Sequence, residues 1–544
     1  MRSASRVAVV MVFGGLAASS SPAQVRTWAA ATSGNWAAAA NWSGTNVPDT
    51  LGESATIDPV GTYTVTMGAS HTVGGITMPR ANPVLTIQNN ATMTLGGSGL
   101  TCNGLVNLVG GAVGNTQISF GTAATPLNGT GILELDGDPS NAASSRLLGS
   151  GGSIVIGPDF TVRGDGVLFV PSTNNGTISA NHAGEVLTVI SPVDNAGTLR
   201  AGGGGILRFN AGVTSSGGQI TANGGTVEFA SSSCSSCLMN TLNGGLISLA
   251  GENATVSYIG MQVLTGGTFA VQSGGTARIN TTPFYNDGVI TVNPGAGPGV
   301  ASIECSTAIQ FSGSGTVLLN APANNRSLAR LHVTNTSSAS IINMGTGTVG
   351  GVGVIDGHYS HNGVLKPGTP GSAGTLEFQF TYAASGTAVT ECDIYGSGPG
   401  QYDTLLFSNA SGSKFFNGIL RLVCRPGYTP SSGDSFTLVT AAGGLQNSFD
   451  VVEVTGTPRQ VQASVEYTDT SVTVTFDHVC RGVDFNNDTL FPDVQDISDF
   501  LTVFAGGACS TGNCDPIDFN TDTLFPDTLD IESFLSVFAG GPCL

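Results

Sequence analysis

The sequence predicts a mainly β fold: a parallel β-helix-like solenoid over most of the chain, followed by a small α-helical module at the C-terminus. Three observations carry this prediction. Glycine accounts for 79 of 544 residues and charged residues for only 10%, a turn-rich composition unlike that of disordered or helical chains. A loose unit of turn residues, glycine and a short alternating apolar strand recurs along the chain. The C-terminal stretch from Cys480 onward instead combines acidic loops with amphipathic helical patterns.

Residues 1–23 have the pattern of a secretory signal peptide. Arg2 and Arg6 precede or flank the apolar stretch VAVVMVFGGLAA, and Ser21-Pro22-Ala23 offers small residues for cleavage. No later stretch approaches the roughly 20 apolar residues of a membrane helix. We therefore expect a secreted protein, extracellular or at the cell surface and without a membrane span, whose ten cysteines are available for oxidation.

Residues 24–74 are expected to form an N-terminal cap and the first strands. Trp28, Trp36 and Trp42 all fall in the segment TWAAATSGNWAAAANWSG. A solenoid needs its end covered, because a bare coil exposes strand edges and apolar surface. The pattern favours a buried aromatic cap over the alternative, a platform on which carbohydrate stacks.

Residues 75–361 carry the repeat that predicts the solenoid. A unit of about 21 residues can hold three short strands and three turns, at roughly 3.3 Å per residue. Glycine and asparagine at the corners are expected to supply positive φ. The alternative is an irregular pair of β-sandwiches. The glycines that recur at or slightly above this spacing are Gly131, Gly152, Gly176, Gly197, Gly218, Gly245, Gly267, Gly288 and Gly315.

Residues 362–478 read as longer alternating strands that close the β region. Cys392 and Cys424 lie on two of these strands and are candidates for a cross-strand disulfide, although sequence alone does not fix the pairing. The W...GNW...NW opening and the closing stretch NGVLKPGTPGSAGTLEF are similar to exported bacterial proteins with autotransporter-like β-helical passenger regions. That resemblance implies a β-sandwich-like closing segment.

Residues 479–544 contain one acidic motif twice. DFNNDTLFPDVQD begins at Asp484, and DFNTDTLFPDTLD begins at Asp518. Side-chain oxygens at loop positions 1, 3 and 5 suit calcium, which takes six to eight oxygen ligands. We therefore expect about two calcium ions. The candidate ligands are Asp484, Asn486, Asp488, Asp493, Asp496, Asp518, Asn520, Asp522, Asp527 and Asp530.

A short helix is expected after each loop. Ile497, Phe500, Leu501 and Phe504 are spaced i, i+3, i+4 and i+7, and the second repeat has the same spacing from Ile531 to Phe538. Ala-Gly-Gly then ends each helix.

The duplicated loop and helix resemble the type I dockerin family, in which each repeat carries a D-x-N-x-D calcium loop and one helix. This sequence departs from the family in two ways: Thr489 and Thr523 replace the usual glycine at loop position 6, and each loop is one residue longer. The resemblance implies a cohesin-like partner on a scaffold or cell surface. The positions that would contact this partner are Val494, Gln495, Thr528 and Leu529.

The dockerin resemblance also bears on the cysteines. Dockerin helices pack antiparallel, which implies pairing of Cys509 with Cys514 and of Cys480 with Cys543. Outside this module, Cys234 and Cys237 are expected to form a local disulfide, with a redox pair or half of a zinc site as alternatives.

No catalytic constellation is evident in the sequence. Acidic residues between 75 and 360 are scattered, and the densest cluster, LELDGD at 133–138, is interpreted as a polar turn. The histidine pair HYSH at 358–361 is a weak candidate for a transition metal. The net charge of -19 argues against nucleic acid as a partner, because phosphates would be repelled.

These observations predict a structural or adhesive β-helical protein, not an enzyme, that is anchored through a calcium-dependent C-terminal module. The alternative is a dockerin-borne β-helix that degrades polysaccharide or binds glycans.

Overall fold

The computed structural model describes residues 24–544 except 252–253, 280–283, 296–298, 306–307, 334–339, 344, 411, 429, 458–460, 479, 491–492, 525 and 542. The expected signal peptide, residues 1–23, lies outside the described residues. From Gln24 to Thr455 the chain winds in successive coils, and each strand pairs in parallel with the equivalent strand of the next coil. The predicted mainly β solenoid is confirmed.

Three ladders of parallel strands form the walls of the solenoid, and the chain visits ladder A, ladder B and ladder C in turn. Ladder A contains Gln24–Thr27, Glu53–Thr56, Ala124–Asn128, Ser153–Ile156, Ser172–Asn174, Val193–Asn195, Val213–Ser215, Thr276–Ile279, Ala301–Cys305, Ala329–Val333, Thr375–Phe378, Thr404–Phe407 and Ser435–Ala441. Ladder B contains Gly34–Asn35, Thr64–Met67, Val84–Ile87, Leu105–Val109, Ile132–Asp136, Thr161–Gly164, Thr177–Ala180, Thr198–Gly202, Gln219–Asn223, Phe284–Asn286, Ile309–Ser312, Ser340–Asn343, His358–His361, Tyr382–Ala384, Lys414–Phe415 and Leu445–Gln446.

Ladder C contains Thr116–Phe120, Ser145–Gly149, Gly166–Phe169, Val186–Val189, Ile206–Phe209, Thr226–Ala230, Leu246–Ala250, Thr268–Gln272, Val289–Asn293, Thr316–Asn320, Val364–Pro367, Val389–Ile394, Ile419–Cys424 and Val451–Thr455. Some longer strands bend at a corner and belong to two ladders. They are His71–Met78, Thr92–Cys102, Ser233–Leu242, Thr255–Val263 and Thr348–Asp356.

One continuous hydrophobic core fills the solenoid from Trp28 to Phe476. Short strands such as Val84–Ile87 and Ile206–Phe209 alternate between partly exposed and buried residues. This alternation follows from the period of two along a strand, which sends every second side chain inward. The buried valine, isoleucine and leucine side chains of one coil therefore pack on those of the next.

The repeat glycines allow the coils to approach closely. A Cβ atom on Gly197 would lie 2.1 Å from the carbonyl oxygen of Gly176, and one on Gly176 would lie 2.2 Å from that of Gly157. Positive φ occurs, as expected, at corner glycines and asparagines such as Gly151, Gly244 and Asn243, but not at the repeat glycines themselves. Contact between coils is thus the reason for glycine at these positions.

The three tryptophans form a buried cluster near the start of the solenoid. Trp42 meets the rings of Trp28 and Trp36 edge to face, with centroid distances of 5.1 and 4.7 Å. Each tryptophan is at most 2% exposed. The predicted buried aromatic cluster is therefore confirmed. Because the rings are buried, they do not form an exposed platform on which carbohydrate could stack.

Residues 362–478 differ from the implied β-sandwich-like closing segment. The parallel ladders continue through this region to Thr455. Among the described residues, antiparallel pairing between strands involves only the last two strands, Val461–Tyr467 and Ser471–His478, the second of which also pairs with Ser435–Ala441. Most of this segment therefore consists of further coils.

The cysteines of the solenoid follow the predictions in part. Cys234 and Cys237 form the expected local disulfide. Cys392 and Cys424 are buried free thiols, so the expected cross-strand disulfide is wrong. Cys392 pairs in register with Leu422, whereas Cys424 pairs with Ile394, further along the same strand. This offset keeps the two thiols on neighbouring strands without placing them opposite each other.

The C-terminal module contains two helices, α1 (Val494–Phe504) and α2 (Thr528–Phe538). Its hydrophobic cluster is formed only by residues of this module, among them Val483, Phe485, Phe500, Phe519 and Phe534. Neither helix, nor any other in the described part of the chain, is long and apolar enough to cross a membrane.

Candidate metal centre

Each acidic loop ends in a helix N-terminus capped by aspartate. The side chain of Asp493 accepts the backbone N–H of Gln495 at 2.7 Å, and that of Asp527 accepts the N–H of Leu529 at 2.8 Å. At the third helical position after each cap, Asp496 and Asp530 complete a capping box. Asp493 and Asp527, two of the predicted metal ligands, therefore have a structural role that requires no ion.

The first loop turns around the oxygens at positions 1 and 3. Asp484 Oδ1 and Asn486 Oδ1 both accept the backbone N–H of Asp488, each at 3.1 Å. Asp484 Oδ2 accepts the N–H of Thr489 at 3.1 Å, and Asp488 Oδ1 accepts that of Leu490 at 2.8 Å. The predicted ligands thus determine the shape of the loop.

The second loop repeats this pattern at the equivalent positions. Asp518 Oδ1 and Asn520 Oδ1 accept the N–H of Asp522 at 3.0 and 3.2 Å. Asp518 Oδ2 accepts the N–H of Thr523 at 3.2 Å, and Asp522 Oδ1 accepts that of Leu524 at 2.8 Å. The duplicated sequence therefore gives a duplicated hydrogen-bond network.

The threonines at loop position 6 adopt the backbone conformation that glycine usually supplies. Thr489 has φ of 69° and Thr523 has φ of 63°. Such values are unfavourable for a β-branched residue, and strained residues of this kind cluster at functional sites. The departure from the dockerin pattern thus changes the residue and preserves the turn.

Asp496 and Asp530 join the start of each loop to its helix. Asp496 Oδ1 accepts the N–H of Asn486 at 3.3 Å, and its Oδ2 accepts that of Asp493 at 3.0 Å. Asp530 Oδ1 accepts the N–H of Phe519 at 2.7 Å. Both aspartates are fully buried. These two residues are the predicted ligands that close the loops, and the structure places each beside the loop backbone.

The module lacks basic groups to balance these buried acids. Burial raises the pKa of Asp530, backbone N–H donors lower it, and the charge of Asp518 raises it, with a net rise above the ordinary value. Residues 480–544 contain no lysine or histidine, and their one arginine, Arg481, donates through Nε to the carbonyl oxygen of Asp518 at 2.9 Å. A cation in the loop would relieve this imbalance.

The chemistry of the donors fits calcium, but the loops are not closed cages. Each loop offers carboxylate and amide oxygens, the hard ligands that calcium takes. In neither loop do three carboxylate ligand atoms of the described residues lie within 4.8 Å of one another. Such a group of ligand atoms is found, within the described residues, only at Asp136, Asp165 and His182, far from this module in sequence. An ion would therefore have to draw the loop carboxylates inward.

Phenylalanine side chains join the two repeats with near two-fold symmetry. Phe500 and Phe534 stack at 4.3 Å with an interplanar angle of 3°. Phe485 meets Phe500 edge to face at 5.1 Å, and its counterpart Phe519 meets Phe534 at 5.0 Å. Because each loop precedes a phenylalanine of this core, the core holds the two loops on one rigid unit.

Two disulfides fasten the module. Cys480 is joined to Cys543 and Cys509 to Cys514, with Cα separations of 5.5 and 5.8 Å. These are the pairings that the dockerin resemblance implies. The first disulfide ties the segment before the first loop to the segment after α2.

The four predicted partner-contact positions are all exposed, at the beginnings of the helices. Val494 is 81% exposed and Leu529 is 39% exposed, and Gln495 and Thr528 lie beside them. Leu501 and Leu535, one on each helix, are 46% and 45% exposed. The spacing of apolar residues predicts that Leu501 and its counterpart lie on the apolar face of each helix, whereas both are half exposed in the structure and available to a partner.

Asp499 is a structural residue that sequence analysis missed. It is 2% exposed and accepts hydrogen bonds from Ser510 N at 3.0 Å and Asn486 Nδ2 at 3.1 Å. Burial raises its pKa, but the hydrogen bonds from Ser510, Asn486 and Gln495 outweigh this and hold the pKa below its ordinary value. The second repeat has Ser533 at this position, so the repeat pattern gave no signal for Asp499.

A scan of the chain against protein-family models finds no match, and a search of curated proteins finds no similar sequence.

Proposed function

We propose that the C-terminal module is a dockerin-like anchor that binds about two calcium ions and docks onto a cohesin-like receptor on a scaffold or cell surface. The protein would be exported, and the solenoid would be the structural or adhesive part that this anchor displays. The observation that carries the proposal is the duplication of the whole unit: acidic loop, capped helix and phenylalanine core, repeated with matching hydrogen bonds.

The duplication supports calcium because loop and helix are coupled in each repeat. Asp496 and Asp530 touch both the loop backbone and the helix N-terminus. An ion that drew these carboxylates inward would stabilise the loop and the first turn of the helix together. The acids that calcium would neutralise have no lysine or histidine within the module.

Calcium titration by calorimetry tests this part of the proposal. The full chain should bind about two ions. The double variant Asp484→Asn/Asp488→Asn should bind one ion fewer, and so should Asp518→Asn/Asp522→Asn. Asp469→Asn changes an exposed aspartate outside the module and is the matched control. Unchanged calcium binding in both loop variants would refute the calcium assignment.

The exposed apolar residues on α1 and α2 support a docking role. Val494, Leu501, Leu529 and Leu535 are large apolar side chains left exposed on two short helices. Exposed apolar patches mark interaction sites when they are grouped and rimmed by polar residues. The partner would bury this surface, and calcium would keep the two helices in position for it.

Binding to a panel of purified cohesin domains tests the docking role. The full chain should bind a panel member in calcium and lose that binding in EGTA. Val494→Asp combined with Leu529→Asp should abolish docking while calcium binding stays at the wild-type level, because both side chains are exposed and neither is a candidate ligand. Val60→Asp, at a residue 76% exposed on the solenoid, is the control. Docking that survives the helix variant would exclude this surface.

A second candidate function, glycan binding by the solenoid, is favoured by one cleft. This cleft of about 480 Å³ is lined by Asp356, Gln379, Phe380, Ser408 and Asn409 among others. Amide and hydroxyl groups beside an aromatic ring suit a sugar, which offers hydroxyl groups and an apolar face. Incubation of the protein with pectins, alginates and xylans, with assays for binding and for released ends, separates this role and polysaccharide cleavage from a purely structural one.

A further inference from the structure

Residues from three successive coils meet at one corner of the solenoid. Asp136 ends the ladder B strand Ile132–Asp136, Asp165 follows Thr161–Gly164, and His182 follows Thr177–Ala180. The strands are in register, with Leu135 opposite Gly164 and Gly164 opposite Ala180. The residues that leave these strands are therefore stacked, although they are far apart in the sequence.

The side chains of this corner lie close enough to share one ion. Asp136, Asp165 and His182 each offer one ligand atom, and these three atoms lie within 4.8 Å of one another. Nδ1 of His182 contacts Oδ1 of Asp165. Nε2 of His182 lies 3.2 Å from Oε1 of Glu134, so the two ring nitrogens face different carboxylates.

Glu134 is itself held in place. Its Oε2 accepts hydrogen bonds from Nη2 of Arg163 at 2.7 Å and from Nε at 3.1 Å. A histidine that binds a metal through one nitrogen usually donates its other N–H to a carboxylate, which fixes the ring. Glu134 is placed to accept such a hydrogen bond from Nε2 of His182, and this leaves Nδ1 for an ion.

The backbone makes room for the Asp165 carboxylate. Asp165 is 4% exposed. A Cβ atom on Gly137 would lie 2.3 Å from Asp165 Oδ2, so a side chain at this position would displace the carboxylate from its present place. Gly164 and Gly166, on either side of Asp165, have φ of 109° and 134°, conformations that other residues rarely adopt. A buried acid with room built around it is the mark of a specific site.

Negative charge exceeds positive charge at this corner. Asp136 and Asp165 belong to the group, Glu134 contacts Nε2 of His182, and Glu185 is near enough for its charge to act on Asp165. The charge of Arg163 is paired with that of Glu134, so among the described residues the charges of the two aspartates are balanced only by His182 when its ring is protonated. A divalent ion would balance the aspartates better than a single imidazolium, because it brings two charges between them.

We propose that this corner binds one divalent first-row transition metal ion of the zinc or manganese class, with Asp136, Asp165 and Nδ1 of His182 as ligands. Imidazole nitrogen with carboxylate oxygen is a donor set for these ions, whereas calcium prefers oxygen alone. The His182 side chain is 29% exposed, so an ion can enter from solvent and keep water in its remaining coordination positions. The site is independent of the calcium loops.

A competing account gives the same contacts without metal. A protonated His182 would bridge Asp165 and Glu134 as an imidazolium and would join three coils by hydrogen bonds alone. The two accounts differ in uptake of metal: an imidazolium clasp takes up none, whereas the proposed site takes up one ion that depends on His182.

Metal titration of the full chain tests the proposal. The protein is stripped with EDTA, dialysed, and saturated with calcium so that the C-terminal loops are occupied. Calorimetry with zinc should then show one site, and cobalt should give visible absorption bands that shift with a nitrogen ligand. His182→Ala should weaken zinc binding at least tenfold. Asp136→Asn, at a partly exposed residue, should do the same and provides a second variant where His182→Ala perturbs folding.

His332→Ala is the matched control. His332 is another solenoid histidine beside a carboxylate, with Nδ1 2.7 Å from Asp356 Oδ2, but it belongs to no group of three such ligand atoms in the described residues. Zinc binding should be unchanged in this variant. Absence of zinc uptake, or equal uptake by wild type and His182→Ala, would leave the imidazolium clasp and overturn the proposal. Calcium binding in the loop variants tests the C-terminal module alone, and neither its loss nor its persistence would affect the proposal for this corner.

Discussion

Removal of the long-range disulfide should destabilise the C-terminal module far more than removal of the short one. The perturbation is Cys480→Ser/Cys543→Ser, compared with Cys509→Ser/Cys514→Ser. Both disulfides have ordinary Cα separations. They differ in the length of chain that each one closes, which is 63 residues in sequence separation for the first and 5 for the second.

The magnitude follows from the conformational entropy of the unfolded chain. A disulfide removes entropy that grows with the logarithm of the loop length. On that relation the long loop contributes about 4 kcal/mol to the free energy of unfolding and the short loop about 2 kcal/mol at 25 °C. A domain of this size rarely gains more than about 3 to 5 kcal/mol from its core. Loss of the long-range disulfide should therefore leave the calcium-free module mostly unfolded.

The assay is urea denaturation of residues 479–544 in EGTA, followed by circular dichroism at 222 nm. This fragment is suitable because its hydrophobic cluster is formed only by its own residues. Its two helices of 11 residues each give the signal, and the fragment has no tryptophan or tyrosine to report by fluorescence. With a slope of about 1 kcal/mol per molar urea, the midpoint should fall by about 2 M for the short loop and by about 4 M for the long loop, which brings the long-loop variant close to or below 0 M urea and removes most of its folded signal in EGTA.

Equal shifts for the two variants, or a larger shift for the short loop, would refute this reasoning. Calcium should restore part of the lost stability in both variants, because ligand that binds only the folded state stabilises it by mass action.

The remaining predictions concern three buried residues. Burial lowers the pKa of His361 to about 4, although its hydrogen bond to Gly363 raises it; wild-type stability should therefore fall as pH drops from about 6.5 to about 4, by at most roughly 3 kcal/mol, and His361→Gln should flatten this slope. Trp42→Ala should cost about 3 to 5 kcal/mol, measured by urea denaturation with fluorescence of the other tryptophans. Phe534→Ala should cost a similar amount and weaken calcium binding at both loops, measured by calorimetry.

Each of these predictions has a control on the same chain. His358→Gln, at a partly exposed residue of the same strand, should keep the pH slope; a slope that persists in His361→Gln would contradict the assignment. Val113→Ala, at a residue 80% exposed, should leave stability unchanged, and an equally small effect of Trp42→Ala would exclude a structural role for the cluster. Leu535→Ala should keep both calcium sites, since Leu535 is 45% exposed.

The histidine pair at 358–361 shows why the sequence was a poor guide to metal sites in the solenoid. His358 and His361 are an odd number of positions apart on one strand, so they point to opposite sides of the wall. His361 lies inside, where Nε2 is 2.9 Å from the Tyr382 hydroxyl, and His358 remains partly exposed. A short spacing in sequence thus separates these side chains, while Asp136 and His182, on different coils, come together.

The glycine repeat correctly predicts a solenoid, but the glycines of this series belong to different corners. Gly197 precedes a ladder B strand, whereas Gly245 and Gly288 precede ladder C strands. Other glycines, such as Gly225 before a ladder C strand, lie at equivalent corners but do not belong to this series. The number of residues per coil is therefore visible in the sequence, whereas the corner to which each glycine belongs is not.

The sequence alone determined the mainly β solenoid, the two short helices and the doubled acidic loops, because each depends on local spacing: alternation in strands, a period of 3.6 in helices and fixed steps in loops. Only the tertiary structure decided which coils stack on which. That register arises from contacts between residues a full coil apart in the chain, and insertions at the turns shift it without leaving a mark on any single repeat. This register separated Cys392 from Cys424 and assembled Asp136, Asp165 and His182 from three coils.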